Sequence, residues 1–451
     1  MVRGIVLVVI DCLRADHVSC YGYGRPTTPT IDSLAEHGLT WRNAHSTSSW
    51  TKPSVASLLT GLYPCQHGVL RGVKRSKGRV GITTDALVGE SPTMAEVLSN
   101  SGWRCAAFLN NVQCEEYTGF NRGFGTYVPI GGKADRLLEM LNAWLGENAN
   151  VPFFVYLHFL ESHWPYKPRR RHVQMFGGDR DTNMFRDYSA RDYARLRRAL
   201  SRGETTLPGE QFDEMVRMYD GAVRRLDGKV KVLLQILRER GAWNETALAV
   251  TADHGEEFLE HGTIGHGHSL YDELTHVPLM VRWPGGPMNE LRDHPVSLVD
   301  LPRTLLSIAG LRAEFPGCDL VVEAQEPSSV CSELSIRNRY TQTLRVGSWK
   351  LHHRTVFDAG VDAKPLELLR RARTGVLAHH ETAELFDLST DPGERFNLAA
   401  GGKQAETVSR LTDQLRRWWS GLQGGPSEEP GGEVQVDEAV IQRLRALGYI
   451  E

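Results

Sequence analysis

A threonine hydroxyl lies at the predicted start of a helix in the segment SWTKPSVASLLTG, residues 49–61. Thr51 precedes Pro53 by two residues, and a Ser or Thr cap followed by Pro in the first turn is a common helix start. Apolar residues then recur on one face, and Gly61 ends the pattern. The segment predicts a helix over 53–60 with Thr51 as its cap. The positive end of that helix would also orient the Thr51 oxygen toward incoming negative charge, as a nucleophile requires.

Carboxylate and imidazole side chains follow three predicted strands. Asp11 ends the opening apolar run, His158 to His163 end the second, and Asp253 with His254 end the third. Open α/β sheets place their sites at the carboxyl ends of the strands, so we expect these groups to meet at one edge. Two carboxylates, an imidazole and the Thr51 hydroxyl suit a divalent cation. The predicted metal ligands are therefore Asp11, Thr51, Asp253 and His254.

The elements that would position these residues alternate between strands and helices. The buried runs VPFFVYLHF (151–159) and TALAVTADHGE (246–256) resemble the opening run in being apolar and rich in β-branched or aromatic residues. Such alternation predicts an α/β fold with a mostly parallel sheet sandwiched by helices. Helical patterns lie at 28–37, 53–60, 91–101, 134–146 and 210–240.

The pattern of predicted strands and helices changes after about residue 325. This change predicts a catalytic domain over 1–325 and a smaller α+β domain over 326–451. Residues 340–354 alternate like an antiparallel hairpin, so this second domain is expected to carry an antiparallel sheet. The remaining predictions for it are a strand, turn and helix start over 384–399, an amphipathic helix over 404–422, a Gly/Pro/Glu linker over 423–433 and a terminal helix from 436.

Residues 165–209 interrupt the alternation with an Arg-rich excursion. One interpretation is a solvated helical segment, because runs of charge usually face water. The other is a lid that brings cations such as Arg169, Arg170 and Arg171 to an anionic substrate.

Bulk composition excludes several classes of protein. The chain has 451 residues and a net charge of −3, which argues against a dedicated nucleic-acid binder. No apolar run is long enough to cross a bilayer, and MVRGIVLVVID is interpreted as a buried strand rather than an export signal. The seven cysteines are scattered without a CxxC pair, which favours reduced thiols and a cytoplasmic location. The expected partner is a small anionic ester, with no nucleic acid and no membrane.

Taken together, the motifs resemble the sulfatase family of the alkaline phosphatase superfamily. The similar segments run almost end to end: the strand with Asp11 and Arg14, TGLYPCQHG, TADHGE, LYDELTHVPLMVRWPG and ELFDLSTDPGERFNLA. The resemblance implies a large α/β domain followed by a smaller domain with an antiparallel sheet. It also implies that Asp11, Asp253 and His254 bind metal and that Thr51 occupies the nucleophile position.

The resemblance further implies residues that act on the substrate. His163 matches a histidine that contacts the ester, and His268 falls near a lysine that binds the sulfuryl or phosphoryl oxygens. His266 is the second candidate for that role. With Thr51 as nucleophile, His163 and His268 are expected to stabilise or protonate the leaving oxygen. Arg14 and Asn110 are expected, with His266, to bind substrate.

Two departures from the family pattern shape the predicted chemistry. Sulfatases carry C/S-x-P-S-R, whose Cys or Ser is converted to formylglycine, whereas this chain has Thr51 and ends the pattern with Val55. No formylglycine is expected, and a threonine nucleophile resembles the phosphodiesterase and phosphoethanolamine-transferase branches. Cys12 replaces a second Asp, either as a soft ligand or as a buried thiol. One divalent cation is expected, with zinc or manganese favoured over calcium or magnesium, and a second metal stays open.

These residues predict a metal-dependent hydrolase, or group transferase, of phosphate or phosphonate esters that works through a covalent Thr51 intermediate. The first alternative is a sulfuric ester hydrolase that uses unmodified Thr51. The second is a sulfatase-like protein that binds a ligand without catalysis.

Overall fold

The computed structural model describes residues 2–75, 82–89, 91–179, 181, 184–185, 187–322, 329–358, 365–375, 377–422 and 432–446. Its strands, in chain order, are β1 Gly4–Ile10, β2 Leu39–His45, β3 Lys74–Arg75, β4 Ile82–Ala86, β5 Arg104–Leu109, β6 Thr126–Pro129, β7 Phe153–Phe159, β8 Thr246–Thr251, β9 Glu257–Phe258, β10 Ile264–Gly265, β11 His276–Arg282, β12 Glu290–Arg292, β13 Val296–Ser297, β14 Val330–Ile336, β15 Arg339–Val346, β16 Trp349–Phe357, β17 His379–Asp387 and β18 Gly432–Gln435.

The helices, in the same order, are α1 Pro29–Glu36, α2 Thr51–Thr60, α3 Pro64–His67, α4 Met94–Asn100, α5 Ala134–Asn148, α6 Arg170–Gln174, α7 Ala190–Ser201, α8 Gly209–Glu239, α9 Asp272–Thr275, α10 Leu301–Ile308, α11 Pro365–Arg373, α12 Ala405–Gly421 and α13 Glu438–Ala446. Within the described ranges, none of these helices is long and apolar enough to span a membrane.

The central sheet confirms the predicted α/β class. Its strand order is β12-β2-β11-β8-β1-β7-β5-β6, with β13 also paired to β2. Strand β1 pairs in parallel with β7 on one side and β8 on the other, and every residue of these three strands is buried. Helices α1, α5 and α8 pack together in one layer, and α2, α4 and α10 in another. Burial on both faces explains why the central strands are continuous apolar runs rather than alternating ones.

Strand β11 makes the sheet mixed, because it pairs antiparallel with both β8 and β2. The consequence for the site is that β1, β7 and β8 lie side by side and run in the same direction. Their carboxyl ends, at Ile10, Phe159 and Thr251, therefore open onto the same edge.

The C-terminal part carries the predicted antiparallel sheet, in the order β14-β15-β16-β17. The predicted helix start before residue 399 is wrong. Asn397 Oδ1 instead accepts hydrogen bonds from the backbone N–H groups of Leu385 and Ala399, which holds the segment as turns against β17. Helix α12 begins only at Ala405.

The predicted domain boundary at 325–326 lies outside the described residues, as do 423–431 of the predicted linker and 447–451 of the terminal helix. Both segments continue as regular structure within the described part. Residues 432–435 form β18, which pairs with β4, and the terminal helix is α13. Residues 432–446 thus return to pack against the first part of the chain.

Candidate active site

Helix α2 begins at Thr51 itself, so the prediction that Thr51 caps the helix is wrong. The N-cap residue is Trp50, and no side chain caps this end. Thr51 is 2% exposed, and every residue of α2 is buried. Gly61 ends the helix with a φ of 67°, in the left-handed region that favours glycine. The Thr51 oxygen is therefore not used in a capping bond and faces the cluster described below.

The loop that precedes Thr51 is held from two sides. The Ser46 hydroxyl donates to the backbone carbonyl of Asp253 at 2.5 Å, which ties the loop to the end of β8. On the other side, the backbone N–H of Glu333 donates to Thr47 O at 2.7 Å, and the Ser48 hydroxyl donates to Glu333 O at 2.8 Å. Strand β14 of the C-terminal sheet therefore fixes the position of the residue that the sequence places as the nucleophile.

Four polar groups converge where β1 and β8 end. His254 Nδ1 donates to Gly255 O at 2.8 Å, so the neutral form of the ring would have its lone pair on Nε2. That Nε2 lies 3.6 Å from Asp11 Oδ1, 3.6 Å from Asp253 Oδ2 and 3.5 Å from Thr51 Oγ1. Asp253 Oδ2 is buried, and it has no hydrogen-bond partner in the described part of the chain.

Such a cluster of acceptors fits a bound cation. Lone pairs and carboxylate charges face one another in a fully buried site, an arrangement that costs free energy unless a positive charge lies between them. Burial and the neighbouring Asp11 raise the pKa of Asp253. Burial opposes ionisation of Asp11 as well, but the His158 hydrogen bond and nearby imidazoles hold its pKa well below the usual range. Asp11, Asp253 and His254 are thus suited to bind a divalent metal, with Thr51 beside them.

Gly255 explains the glycine of the TADHGE motif. A Cβ atom there would lie 2.0 Å from the backbone carbonyl of Glu273, a contact that no side chain tolerates. The Gly255 N–H also donates to Leu274 O at 2.9 Å. This close backbone approach sets the direction in which His254 leaves the sheet.

The sequence pattern did not single out Asn111, and it placed His158 at this edge without giving it a role. Asn111, after β5, donates from Nδ2 to Asp11 Oδ2 and lies 3.4 Å from Thr51 Oγ1. His158, near the end of β7, donates from Nε2 to Asp11 Oδ2 at 3.1 Å, with Tyr156 on its other nitrogen at 2.9 Å. The available signal was the position of His158 in an otherwise apolar strand, because a buried imidazole needs polar partners.

Two further histidines are bound to buried glutamates. His266 Nδ1 donates to Glu256 Oε2 at 2.8 Å, and His268 Nε2 donates to Glu257 Oε2 at 2.6 Å. His268 Nδ1 accepts from Arg197 at 3.4 Å, so both of its ring nitrogens are engaged. The His266 ring lies 4.4 Å from the ring of His254, measured between centroids, and burial lowers its pKa to about 4 despite Glu256. Of the two, His266 lies beside His254, and its Nε2 has no hydrogen-bond partner among the described residues.

Cys12 and His163 complete this edge. The Cys12 thiol donates to Asp11 Oδ1 at 3.1 Å, and burial together with Glu256 raises its pKa well above the ordinary value. These contacts favour a buried protonated thiol over a metal ligand. His163 lies with its ring 5.0 Å from that of His266.

Arg14 and Asn110 form hydrogen bonds with residues other than Thr51 and the Asp11–Asp253–His254 cluster. The Arg14 guanidinium is buried and paired with Asp16 and Glu260, both at 2.6 Å. Asn110 Nδ2 donates to Gly132 O at 2.9 Å. Asn110 lines a cavity of about 340 Å³ together with His163. Substrate binding by Arg14 and Asn110 stays a prediction, and the Arg14 ion pairs give it no support.

A larger cavity opens directly onto Thr51. Its volume is about 730 Å³, and its wall includes Thr51, His266, Trp50, Arg197 and Arg337. The Arg-rich excursion therefore reaches this cavity through Arg197 on α7. Arg171 lines a different cavity, and Arg170 lies near Asp179 and Asp181, at 3.7 and 3.5 Å.

The fold and the site together define a hydrolase of the alkaline phosphatase superfamily. The chain belongs to the sulfatase family: the family model "Sulfatase" matches residues 3–311, and the model "C-terminal region of aryl-sulfatase" matches residues 335–441. These matches confirm the resemblance inferred from the sequence.

Curated relatives match the chain almost end to end. Arylsulfatase A of Homo sapiens is 26% identical over 483 residues, which cover 95% of this chain and 90% of that protein. N-sulphoglucosamine sulphohydrolase of Homo sapiens is 26% identical over 450 residues, covering 88% and 86%.

Solved structures share the fold at lower identity. A structure in complex with its substrate D-glucosamine-2-N,6-O-disulfate has a TM-score of 0.70 at 18% identity, covering 96% of this chain and 99% of that one. Phosphonate monoester hydrolase of Agrobacterium radiobacter has a TM-score of 0.69 at 19% identity, covering 96% and 100%.

These relatives overturn the predicted preference for phosphate or phosphonate esters. The curated relatives named above are a sulfatase and a sulphohydrolase, whereas the phosphonate hydrolase is similar in fold alone. The prediction was wrong because it depended on the residue type at position 51. A threonine hydroxyl can attack sulfur as well as phosphorus, so the residue type at position 51 does not decide between them.

Proposed function

We propose that this protein hydrolyses sulfuric esters of small anionic substrates, with unmodified Thr51 as the nucleophile. The observation that carries the proposal is the position of Thr51 Oγ1. It lies 3.5 Å from His254 Nε2 in the Asp11–Asp253–His254 cluster, at the wall of a cavity of about 730 Å³. The sulfatase activity named for the relatives agrees with it.

Thr51 would act as an ordinary alcohol. Formylglycine carries an aldehyde at the former Cβ, but the Cβ of threonine also carries a methyl group. Forming the aldehyde would therefore require breaking a carbon–carbon bond. The chain also has Val55 where the maturation pattern has Arg.

In the first step, Thr51 Oγ attacks the sulfur of the ester, and the bond from sulfur to the ester oxygen breaks. The proton of the Thr51 hydroxyl is transferred to the departing alcohol. In the second step, water attacks the sulfur of the sulfothreonine, and the bond from sulfur to Oγ breaks. Hydrogen sulfate leaves and Thr51 is restored, so atoms and charge balance over the two steps.

His266 is the proposed proton carrier. Its Nδ1–H is bonded to Glu256, which orients the ring and leaves the lone pair on Nε2. Because burial lowers the pKa of His266 to about 4, the ring is neutral near pH 7 and accepts a proton from Thr51 or from water. His163, beside His266, and His268, bound to Glu257, would support the leaving oxygen and the ester.

A divalent cation held by Asp11, Asp253 and His254 would supply Lewis acidity and a lowered pKa for the Thr51 hydroxyl. Mixed oxygen and nitrogen donors suit zinc or manganese better than calcium, which prefers oxygen ligands.

The test replaces Thr51 and measures sulfate and phosphate release from matched 4-nitrophenyl esters. Thr51→Ala should lose about four orders of magnitude in kcat for the sulfate ester, because the nucleophile is removed. Thr51→Ser should retain substantial activity. Thr60→Ala makes the same deletion at the other end of α2 and serves as the control. Near wild-type turnover by Thr51→Ala, or faster release of phosphate than of sulfate, would refute the proposal.

A further inference from the structure

Two arginines in the Thr51 cavity have no carboxylate partner among the residues that the structure describes. The cavity wall contains Arg71, Arg197 and Arg337, and none of the residues described in that wall is acidic. Arg71 is paired with Asp85 at 2.9 Å. Over the described ranges, the Arg197 guanidinium has only His268 as a side-chain hydrogen-bond partner, and the Arg337 side chain has no hydrogen bond or ion pair. Unpaired cations in a concave site concentrate positive potential where the substrate must enter.

Arg337 keeps a backbone conformation that ordinarily selects glycine or asparagine. Ile336 pairs with Arg339, so Arg337 and Asn338 form a two-residue turn between β14 and β15. The φ of Arg337 is 53°, in the left-handed region. Any L residue in that position costs free energy relative to glycine, because its Cβ crowds the backbone, and such outliers cluster at binding and active sites.

The two arginines reach the cavity from segments outside the central sheet. Arg337 lies four residues after Glu333. Because the Glu333 backbone is hydrogen-bonded to the loop before Thr51, the turn is held at a fixed position relative to Thr51. Arg197 lies on α7, in the Arg-rich excursion, and packs against Gly265 of β10. The reacting sulfate must contact Thr51 and the Asp11–Asp253–His254 cluster. A cavity of about 730 Å³ leaves room for a much larger part of the substrate.

We propose that Arg337 and Arg197 bind a second anionic group of the substrate, a carboxylate or a further sulfate, and so select sulfate esters that carry more than one negative charge. This inference rests on the proposed function, because it assigns the substrate class of the same site. Guanidinium groups pair with carboxylate and sulfate oxygens through two parallel hydrogen bonds, which gives selectivity over an uncharged ring.

The test compares 4-nitrophenyl sulfate with its ring-carboxylated derivative. The wild-type enzyme should have the higher kcat/KM for the carboxylated ester, and this preference should shrink as salt increases. Arg337→Gln should reduce the preference about tenfold, the loss expected for one charge-assisted pair. Arg410→Gln removes the same charge from an exposed position on α12 and should leave the preference unchanged.

Arg337→Gly separates recognition from folding. Glycine relieves the strained turn, so the melting temperature should increase while the preference for the carboxylated ester falls. Equal losses on both esters in Arg337→Gln, or no preference in the wild type, would overturn the inference.

If the wild type cleaves neither ester, the proposed function fails and binding decides the second question. Benzene-1,3-disulfonate and benzenesulfonate cannot be hydrolysed as esters, and calorimetry measures their affinities directly. Tighter binding of the disulfonate that Arg337→Gln abolishes would support the second anion site. Equal affinities in the wild type would overturn it.

Discussion

Asn111 gives the sharpest test of how the site is built. Its Nδ2 donates to Asp11 Oδ2 at 2.5 Å and lies 3.4 Å from Thr51 Oγ1, so one amide positions both the proposed metal ligand Asp11 and the proposed nucleophile Thr51. Its Oδ1 accepts from the backbone N–H of Gln113 at 2.8 Å, which holds the loop after β5. Removing the amide should therefore lower activity and destabilise the loop after β5, and the two losses can be measured separately.

The magnitude follows from these contacts. A hydrogen bond to a charged group contributes about 1.5–3 kcal/mol, which corresponds to a loss of about 10- to 150-fold when it is expressed in catalysis. Asn111→Ala loses this bond and the bond to Gln113, so it should also unfold at lower urea. Asn111→Asp keeps the acceptor for Gln113 but places a second buried carboxylate against Asp11, so it should lose both activity and stability.

The assay is kcat/KM for an aryl sulfate, with urea unfolding and elemental analysis of each purified variant. If Asn111→Ala keeps kcat/KM within about threefold of the wild type, the amide does not position Asp11 or Thr51 for catalysis. Activity restored in Asn111→Asp would also refute the argument, because that variant lacks the amide donor.

Two other predictions follow from the described contacts. Asp253→Asn should yield a folded protein with little bound metal and little activity, and full metal occupancy by elemental analysis would contradict the assignment. Burial lowers the pKa of His67 from 6.5 to about 3 in the folded state. As pH falls, His67 therefore binds a proton in the unfolded chain before it does so in the folded protein. The stability that neutral His67 contributes is fully present above pH 6.5 and is lost as pH falls toward 3. The loss of unfolding free energy is at most roughly 5 kcal/mol. His67→Asn should weaken the pH dependence of the free energy of unfolding in urea. The same pH dependence in the variant and the wild type would contradict this prediction.

Local pattern determined the elements and the ends of the strands that carry the central ligands. Continuous apolar runs are typical of buried strands or buried helices. These runs are short and contain β-branched residues, which favours strands, so β1, β7 and β8 were predictable. Asp11 and Asp253 follow such runs directly, and parallel strands bring their carboxyl ends to the same edge, so the pattern alone predicts that these two carboxylates meet. The helix at 51–60 was also predictable from its local residue pattern. Its first residue was not, because helix ends depend on contacts as well as propensity.

Only the tertiary structure decided what surrounds these groups. Asn111 contacts Asp11 from 100 residues away, and no local spacing links the two. The pattern placed His158 at the same edge, but its hydrogen bond to Asp11 is seen only in the packed fold. Arg337 enters the Thr51 cavity from the C-terminal sheet, while Arg14, at the expected place in the sequence, is paired with Asp16 and Glu260. Hydrogen bonds and ion pairs form between atoms within about 3–4 Å in space, whatever their separation along the chain. The sequence could therefore identify the reactive groups, but only the packed fold determines which of them are free to act.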